Sequence, residues 1–404
     1  MFNTKRISAL AFMAAVLSFS SCEKESQPEP DPIPETGNEV VTQNLSGSTT
    51  WSNEKVYQLG GRIVVPEGAT LTIEPGTIIK GEAGTGANAT ALVVARGGKI
   101  IAEGTDSAPI IFTSVADEIM PEDIQAGNFA SPNLDPDLNG LWGGVIVLGN
   151  ARISASNDVG DVSQVQIEGI PTSDPNGLYG GDNDQDDSGI LKYISIRHGG
   201  SNIGAGNEIN GLTLGGVGSG TVIENIEIVG NQDDGIEWFG GSVNLTNAMV
   251  WNVGDDAIDA DQSWSGTLDN FVIISPADHN FELDGPEGSY AAGYTIKNGY
   301  VIANDFQTER FSSDLINTDD NTIVNLENIF FTNINEGQMI NRVVHNVGEV
   351  NFSNIVLDVP AEDLAGYVNG DVPEGVSAGS SSTTNLTVFE WTWAYQAGML
   401  QNAR

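Results

Sequence analysis

One pattern, written three times in a row, restricts this chain to a narrow set of folds. Asn225-Ile226-Glu227-Ile228 followed by Asp233-Asp234-Gly235-Ile236-Glu237 returns as Asn247-Ala248-Met249-Val250 with Asp255-Asp256-Ala257-Ile258-Asp259, and again as Asn270-Phe271-Val272-Ile273 with Asp278-His279-Asn280-Phe281-Glu282. The spacing is 22 and then 23 residues, the length of one coil of a β-solenoid and too short for a domain. The asparagine signal continues at Asn298, Asn328 and Asn354, each followed by alternating Ile, Val or Phe. Each coil needs a turn residue that tolerates a left-handed backbone and can pass an amide hydrogen bond to its copies above and below. Asparagine does both, and stacked amides form a ladder. The apolar residues after it alternate with period two and read as inward-facing strand positions.

The fold class expected is all-β, a solenoid of stacked coils with parallel strands, irregular loop insertions and a C-terminal cap. Gly81 to Thr90, Ala116 to Asn139 and Gly180 to Gly189 interrupt the strand pattern and read as such insertions. The 49 glycines, with only 17% charged residues, fit many short strands joined by tight turns, and 39% apolar residues suffice for a narrow continuous core. Open ends of a stack must be covered. Residues 40 to 60 are placed at the entry end. The aromatic run Phe389 to Tyr395 is placed at the exit end, with Trp391, Trp393 and Tyr395 read as packing residues in preference to a carbohydrate platform.

The N-terminus carries an address. Lys5 and Arg6 precede an apolar run of 13 residues, Ile7 to Phe19, too short to span a bilayer and suited to a signal-peptide core. Ser20 and Ser21 then lead to Cys22, the one cysteine, which excludes an intramolecular disulfide. The arrangement resembles a bacterial lipoprotein signal, although Phe19 stands where that signal has a branched aliphatic residue; the resemblance implies lipidation at Cys22. Glu23-Lys24-Glu25-Ser26 looks like an export signal to the outer face of the outer membrane. Pro28, Pro30, Pro32 and Pro34 among acids then give an extended tether. The organisation expected is a signal peptide over 1–21, lipidated cysteine and tether over 22–40, β-helix over 41–385 and cap over 386–404. The location expected is the outer membrane, lipid-anchored and surface-exposed.

A net charge of −40, from 55 acidic against 15 basic residues, excludes nucleic acid as a partner and favours cations. A polysaccharide or a surface protein remains as a possible partner. If Ile236, Ile258 and Phe281 point inward, Glu237, Asp259 and Glu282 point outward and lie over one another at about 4.8 Å. Three readings stay open: some of these acids keep their protons, divalent cations such as Ca2+ bridge them, or they hydrogen-bond turn amides. A second metal candidate is the loop Asp182-Asn183-Asp184-Gln185-Asp186-Asp187, with ligands Asp182, Asp184 and Asp186 at every second position. It departs from an EF-hand, with Asp187 where glycine is needed and Tyr193 where glutamate is needed.

Thr70-Leu71-Thr72-Ile73-Glu74-Pro75-Gly76-Thr77, Gly140-Leu141-Trp142-Gly143-Gly144, Asp186 to Tyr193, Asp233 to Gly241 and Phe389 to Ala394 together resemble the signatures of a large group of uncharacterised bacterial envelope lipoproteins. That resemblance implies the right-handed parallel β-helix of the pectin-lyase-like superfamily from about residue 40 onward, and brings no activity with it. The central repeat is also similar to polygalacturonases. In that likeness Asp255 is the general acid, Asp234 and Asp256 activate water, and His279 tunes the acid. The glycines flanking the histidine and the Arg-x-Lys clamp of those enzymes are absent, and Arg310 is the arginine of the next coil. Arg197 and Arg310 lie outside the coil motifs, and the lone histidines His198 and His345 read as turn or surface residues in preference to ligands. The expectation is therefore a glycan- or partner-binding protein assisted by metal, with an inverting polysaccharide hydrolase as the alternative.

Overall fold

The computed structural model describes residues 38–202, 209–305, 310–342 and 349–401; Cys22, the stretch expected to be a signal peptide, most of the expected tether, and His345 lie outside them. The chain from Gly37 onward forms one compact unit. Its strands are the coils of a parallel β-helix, built on two large sheets of 15 and 9 strands. The nine-stranded sheet carries one short strand per coil: β1 (Arg62–Val65), β2 (Ala91–Val94), β3 (Val145–Leu148), β4 (Leu212–Gly215), β5 (Ile236–Phe239), β6 (Ile258–Asp261), β7 (Phe281–Leu283), β8 (Ile316–Thr318) and β9 (Ile340–Asn341). All eight neighbouring pairs are parallel, so each connection is a crossover, for which the right-handed sense is the rule.

The other large sheet holds the long strands Val222–Val229, Leu245–Trp251, Thr267–Ile274, Tyr294–Ile302, Ile323–Thr332 and Glu349–Leu357. Each bends at its asparagine: Asn225, Asn247, Asn270, Asn298, Asn328 and Asn354 have φ between 54° and 63°, where any residue with a Cβ other than Asn or Asp is strained. In Gly189–Arg197 the bend falls on Tyr193, φ 51°. Before that point the two arms exist as separate strands: Lys99–Glu103 pairs with the first arm of Gly189–Arg197 and Ile110–Ser114 with the second.

The rungs form, and they are interrupted once. The Asn247 side chain donates to Asn225 (2.9 Å) and Asn270 to Asn247 (2.7 Å); Asn328 donates to Asn298 (3.2 Å) and Asn354 to Asn328 (3.0 Å). Between the two runs, Asn298 donates instead to Asp269 (2.6 Å), and Asn270 is bound to the backbone of Asn385. Inside the coils the core is continuous from Trp51 to Val376. Trp238 stacks on Trp264 at 4.5 Å, and Phe281 meets Phe271 and Phe331 edge-on.

The ends differ from expectation at one terminus. At the entry, Glu39–Val41 and Ser48–Trp51 add strands ahead of the first full coil, and Val41 and Leu45 pack on the core. At the exit, Val359, Leu364, Tyr367 and Val368 close the core, and Val376–Ala378 pairs with the last long strand. The aromatic segment from Leu386 to Leu400 does not cap the exit end. It runs back along the flank, where Phe389, Trp393 and Leu400 cover Val229, Met249, Trp251, Val272, Ile274 and Phe330, and Trp391 meets the insertion residues Ile124 and Phe129. The outward side chains of those arms form an apolar stripe several coils long that needs a cover of its own. Trp391 and Trp393, 4% and 5% exposed, are therefore packed.

Under this strap lies a buried ion pair. Arg197 and Glu227 approach to 3.7 Å with neither side chain exposed. Ser195 bridges them, donating to Glu227 (2.6 Å) and accepting from Arg197 (2.7 Å), while the Ala394 amide donates to the other Glu227 oxygen (3.0 Å). The Arg197 guanidinium sits 5.0 Å from the Trp393 ring. Arg197 thus serves the strap, on a different sheet from the coil acids.

Candidate functional site

The outer face of the nine-stranded sheet changes character along its length. In register, one outward column reads Val64, Val93, Ile146, Thr213, Glu237, Asp259, Glu282, Asn317, Asn341. The apolar part is covered by the insertion after β3, whose Ile153, Ile167, Ile170 and Tyr179 pack on Val64, Val93 and Ile146. Beyond it the column turns acidic, with Glu237 and Asp259 buried and Glu282 half-buried.

The insertion also builds a wall beside the acids. Gly288 N–H donates to Ser154 Oγ (3.1 Å), Ser289 bonds Asp161, and the Arg152 guanidinium lies 4.7 Å from the Tyr290 ring, so the loop after β7 is tied to it. Tyr179 Oη donates to Gln262 (2.9 Å), which in turn reaches Glu287 (3.2 Å).

Two clusters of ligand atoms form on this face. Asp234, Glu237 and Asp259 each place a carboxylate oxygen within 4.8 Å of the others, and Asp256, His279 and Glu282 do the same with a ring nitrogen included. Asp233, Asp234 and Asp255, and Asp255, Asp256 and Asp278, make equally tight groups at the preceding turn. The turn acids partly serve the backbone: Asp234 accepts from the Asp256 amide (3.0 Å) and Asp256 from the His279 amide (2.5 Å). The Asp256 carboxylate also lies 2.9 Å from His279 Nδ1, and His279 Nε2 lies 3.1 Å from the Asn317 amide. Glu237 accepts from Asn210. Asp259 is 8% exposed, and its Oδ1 has no hydrogen-bond partner.

Burial and mutual repulsion raise the pKa of several carboxyls on this face. Asp234, Glu237 and Asp259 lie well above the usual carboxylate range, through loss of solvent first and neighbouring acids second. Burial, with Asp284 and Glu287 beside it, lifts Asp261 to about 8. Glu282 rises to about 8 through burial and its contact with Asp256, and Asp284 to about 6 through burial and Asp319. Burial alone lowers His279, but the Asp256 hydrogen bond and the charges of Asp256, Asp278 and Glu282 outweigh it and raise the ring to about 9.

The structure brings together Glu237, Asp259 and Glu282, as well as Asp234, Asp255, Asp256 and His279. It does not bring together Asp182, Asp184 and Asp186. Asp184 is clamped by Arg152, Asp186 accepts from Asn150 (3.0 Å), and the neighbouring Asp187 pairs with Lys99 (2.5 Å). Among the described residues no group of three ligands forms there, since Asp184, Asp186 and Asp187 each have a separate partner. His198 is buried beneath the strap against Trp393. Three participants were missed: Asn210, Glu168 and Asn317. Asp314-Leu315-Ile316-Asn317 is a further copy of Asp256-Ala257-Ile258-Asp259, hidden by the longer coil before it; Glu168 reaches the face from the insertion and carries no signal in sequence.

Carboxylates of this density suit hard, oxygen-seeking cations such as Ca2+, and the group containing His279 also accepts borderline ions. Protonated and ionisable carboxyls side by side also suit proton transfer. In comparison with known proteins, the family model of a pectate-lyase-like beta helix domain matches residues 43–127 and 129–394. No curated protein and no solved structure matches.

Proposed function

We propose, from the premise that the chain belongs to the pectate-lyase-like beta-helix domain family, that it is a lipid-anchored outer-membrane protein whose acidic face binds divalent cations and, through them, a polysaccharide or surface partner. The observation that carries this reading is Asp259 Oδ1, buried without a partner in contact with Glu237 and Asp234. An oxygen so placed is costly until something positive meets it. Bound cations also reverse the sign of a surface that otherwise repels acidic glycans. Calorimetry with Ca2+, Mg2+ and Mn2+ tests the cation; heats no larger than dilution would end the reading. A glycan array probed with calcium and with chelator tests the partner, and labelled fatty-acid incorporation that disappears in Cys22→Ser tests the anchor.

A second reading, hydrolysis of a polysaccharide, draws on Glu282. A carboxyl with a pKa of about 8, beside Asp256 and His279, carries a proton at neutral pH as a general acid must. Asp255, Asp234 and Asp256 would supply the remaining roles. Release of reducing ends from neutral and acidic polysaccharides, abolished by Glu282→Gln and Asp255→Asn, is the expected result; no release from any member of the panel removes this reading.

A further inference from the structure

A cleft lies apart from the acidic face, where the insertion after β3 leans over the turns that follow β1, β2 and β3. It encloses about 470 Å3, within the range of about 300–1,000 Å3 of small-molecule sites. Its floor is the stacked turns bearing Glu67, Arg96 and Asn150, and its wall carries Gln164, Asn176 and Leu178. Gly97, φ 75°, lets the floor close up: a Cβ there would meet Glu67 Cγ at 2.9 Å. None of these residues belongs to the acidic face, and the packed apolar columns of the same sheet separate the two places.

The chemistry of the lining selects a ligand class. Arg96 spends one donor on the Gly180 carbonyl (2.9 Å), which fixes it against the insertion and leaves the remaining guanidinium donors. Asn150 uses its NH2 on Asp186 and Asn176 uses its own on Asp174, so each keeps its carbonyl oxygen for a guest. Gln164, exposed, offers both functions. A purely accepting anion leaves Glu67 and two amide oxygens unanswered, and a purely donating cation meets Arg96. Hydroxyl groups donate and accept at once, and Glu67 and Arg96 cancel in charge. We propose that this cleft is a subsite for a short neutral oligosaccharide, with Leu178 under a sugar ring and Arg96, Asn150, Gln164 and Asn176 on its hydroxyls.

This proposal is independent of the cation reading, since no ligand cluster lies in the cleft, and its test is run in chelator. The full chain is titrated in EDTA with trisaccharides of glucose, mannose, xylose and N-acetylglucosamine, and with trigalacturonate as the anionic comparison, by calorimetry and saturation-transfer NMR. The expected result is binding of at least one neutral trisaccharide. Arg96→Ala and Gln164→Ala should each weaken it, the former by about tenfold or more, the scale of lost hydrogen bonds to a charged donor. Gln164 is exposed, so its truncation leaves the fold intact and keeps the test valid if Arg96→Ala destabilises the insertion. Absence of neutral binding, binding that requires added calcium, tighter binding of trigalacturonate, or wild-type affinity in Gln164→Ala would each overturn the assignment.

Discussion

Replacing Asp259 by asparagine removes one carboxylate from a buried group of three on the acidic face while keeping its shape. Asp234, Glu237 and Asp259 crowd their oxygens within 4.8 Å, and all three are more than nine-tenths buried. A pair of like charges about 5 Å apart costs roughly 3 kcal/mol at an effective dielectric of about 20. Without a cation the fold avoids that cost by keeping protons, which makes the cost depend on pH. A carboxyl whose folded pKa lies above its unfolded value stabilises the fold fully below the unfolded pKa, and that stabilisation is lost as pH rises through the folded value. For Glu282 and Asp261 the loss runs from the ordinary carboxylate range to about 8, and for His279, raised likewise, from 6.5 to about 9. Wild-type stability in EDTA should therefore fall from pH 5 to pH 8. Asp259→Asn, with no proton to retain, should be the more stable protein at pH 8 by on the order of 1–3 kcal/mol, with the gap narrowing toward pH 5. Calcium should invert the order, since a ligand at about 100 times its Kd adds about 2.7 kcal/mol to the protein that binds it. Urea or thermal melts at both pH values, with EDTA and with CaCl2, give the answer. An Asp259→Asn protein that is less stable than wild type in EDTA at pH 8, or a wild type indifferent to calcium, would refute the reasoning.

Other changes test other parts of the molecule. Asn247→Ala loses two rungs, of 2.9 and 2.7 Å, and puts at φ 63° a residue without the amide that lets asparagine tolerate the left-handed region; about 1–2 kcal/mol of backbone strain and about 1 kcal/mol per bond predict a loss of roughly 3 kcal/mol in urea melts. Asn247→Gly should recover the backbone share alone. Glu227→Ala leaves Arg197 buried without its carboxylate, at a cost on the order of 3–5 kcal/mol, and should make the segment from 386 to 400 the first site of limited proteolysis. An unchanged cleavage pattern would show that the strap does not depend on the ion pair.

The sequence announces the coils because each coil repeats a demand that only a few side chains meet. Asn225, Asn247 and their successors must take a left-handed backbone and pass a hydrogen bond along the stack, and residue identity alone states that. The register of Glu237, Asp259 and Glu282 is legible for the same reason, since the period-two alternation of Ile236, Ile258 and Phe281 fixes which neighbours face out. What the sequence hides are features decided by distant partners. The rung between Asn270 and Asn298 is broken by Asn385, 115 residues away from Asn270. The aspartates from 182 to 187 look like a calcium loop until Arg152 and Lys99 arrive to claim them. Trp391 and Trp393 read correctly as packing residues, but nothing local states which surface they cover.

The strap also changes what kind of polymer the stack is. A solenoid touches only its neighbours, so it can unravel coil by coil from either end. Here Gln396 accepts from the Phe129 amide (3.0 Å) and donates to the Gly127 carbonyl (3.0 Å), contacts that span 267 and 269 residues of chain. Those contacts close the series of coils into a loop, and fraying from the exit end then has to lift the strap before it can travel inward. The same geometry imposes an order on assembly. The surface that receives Phe389 and Trp393 is built from coils spread between Val229 and Phe330, so the strap, which follows them in the chain, binds a site that exists only once those coils have formed.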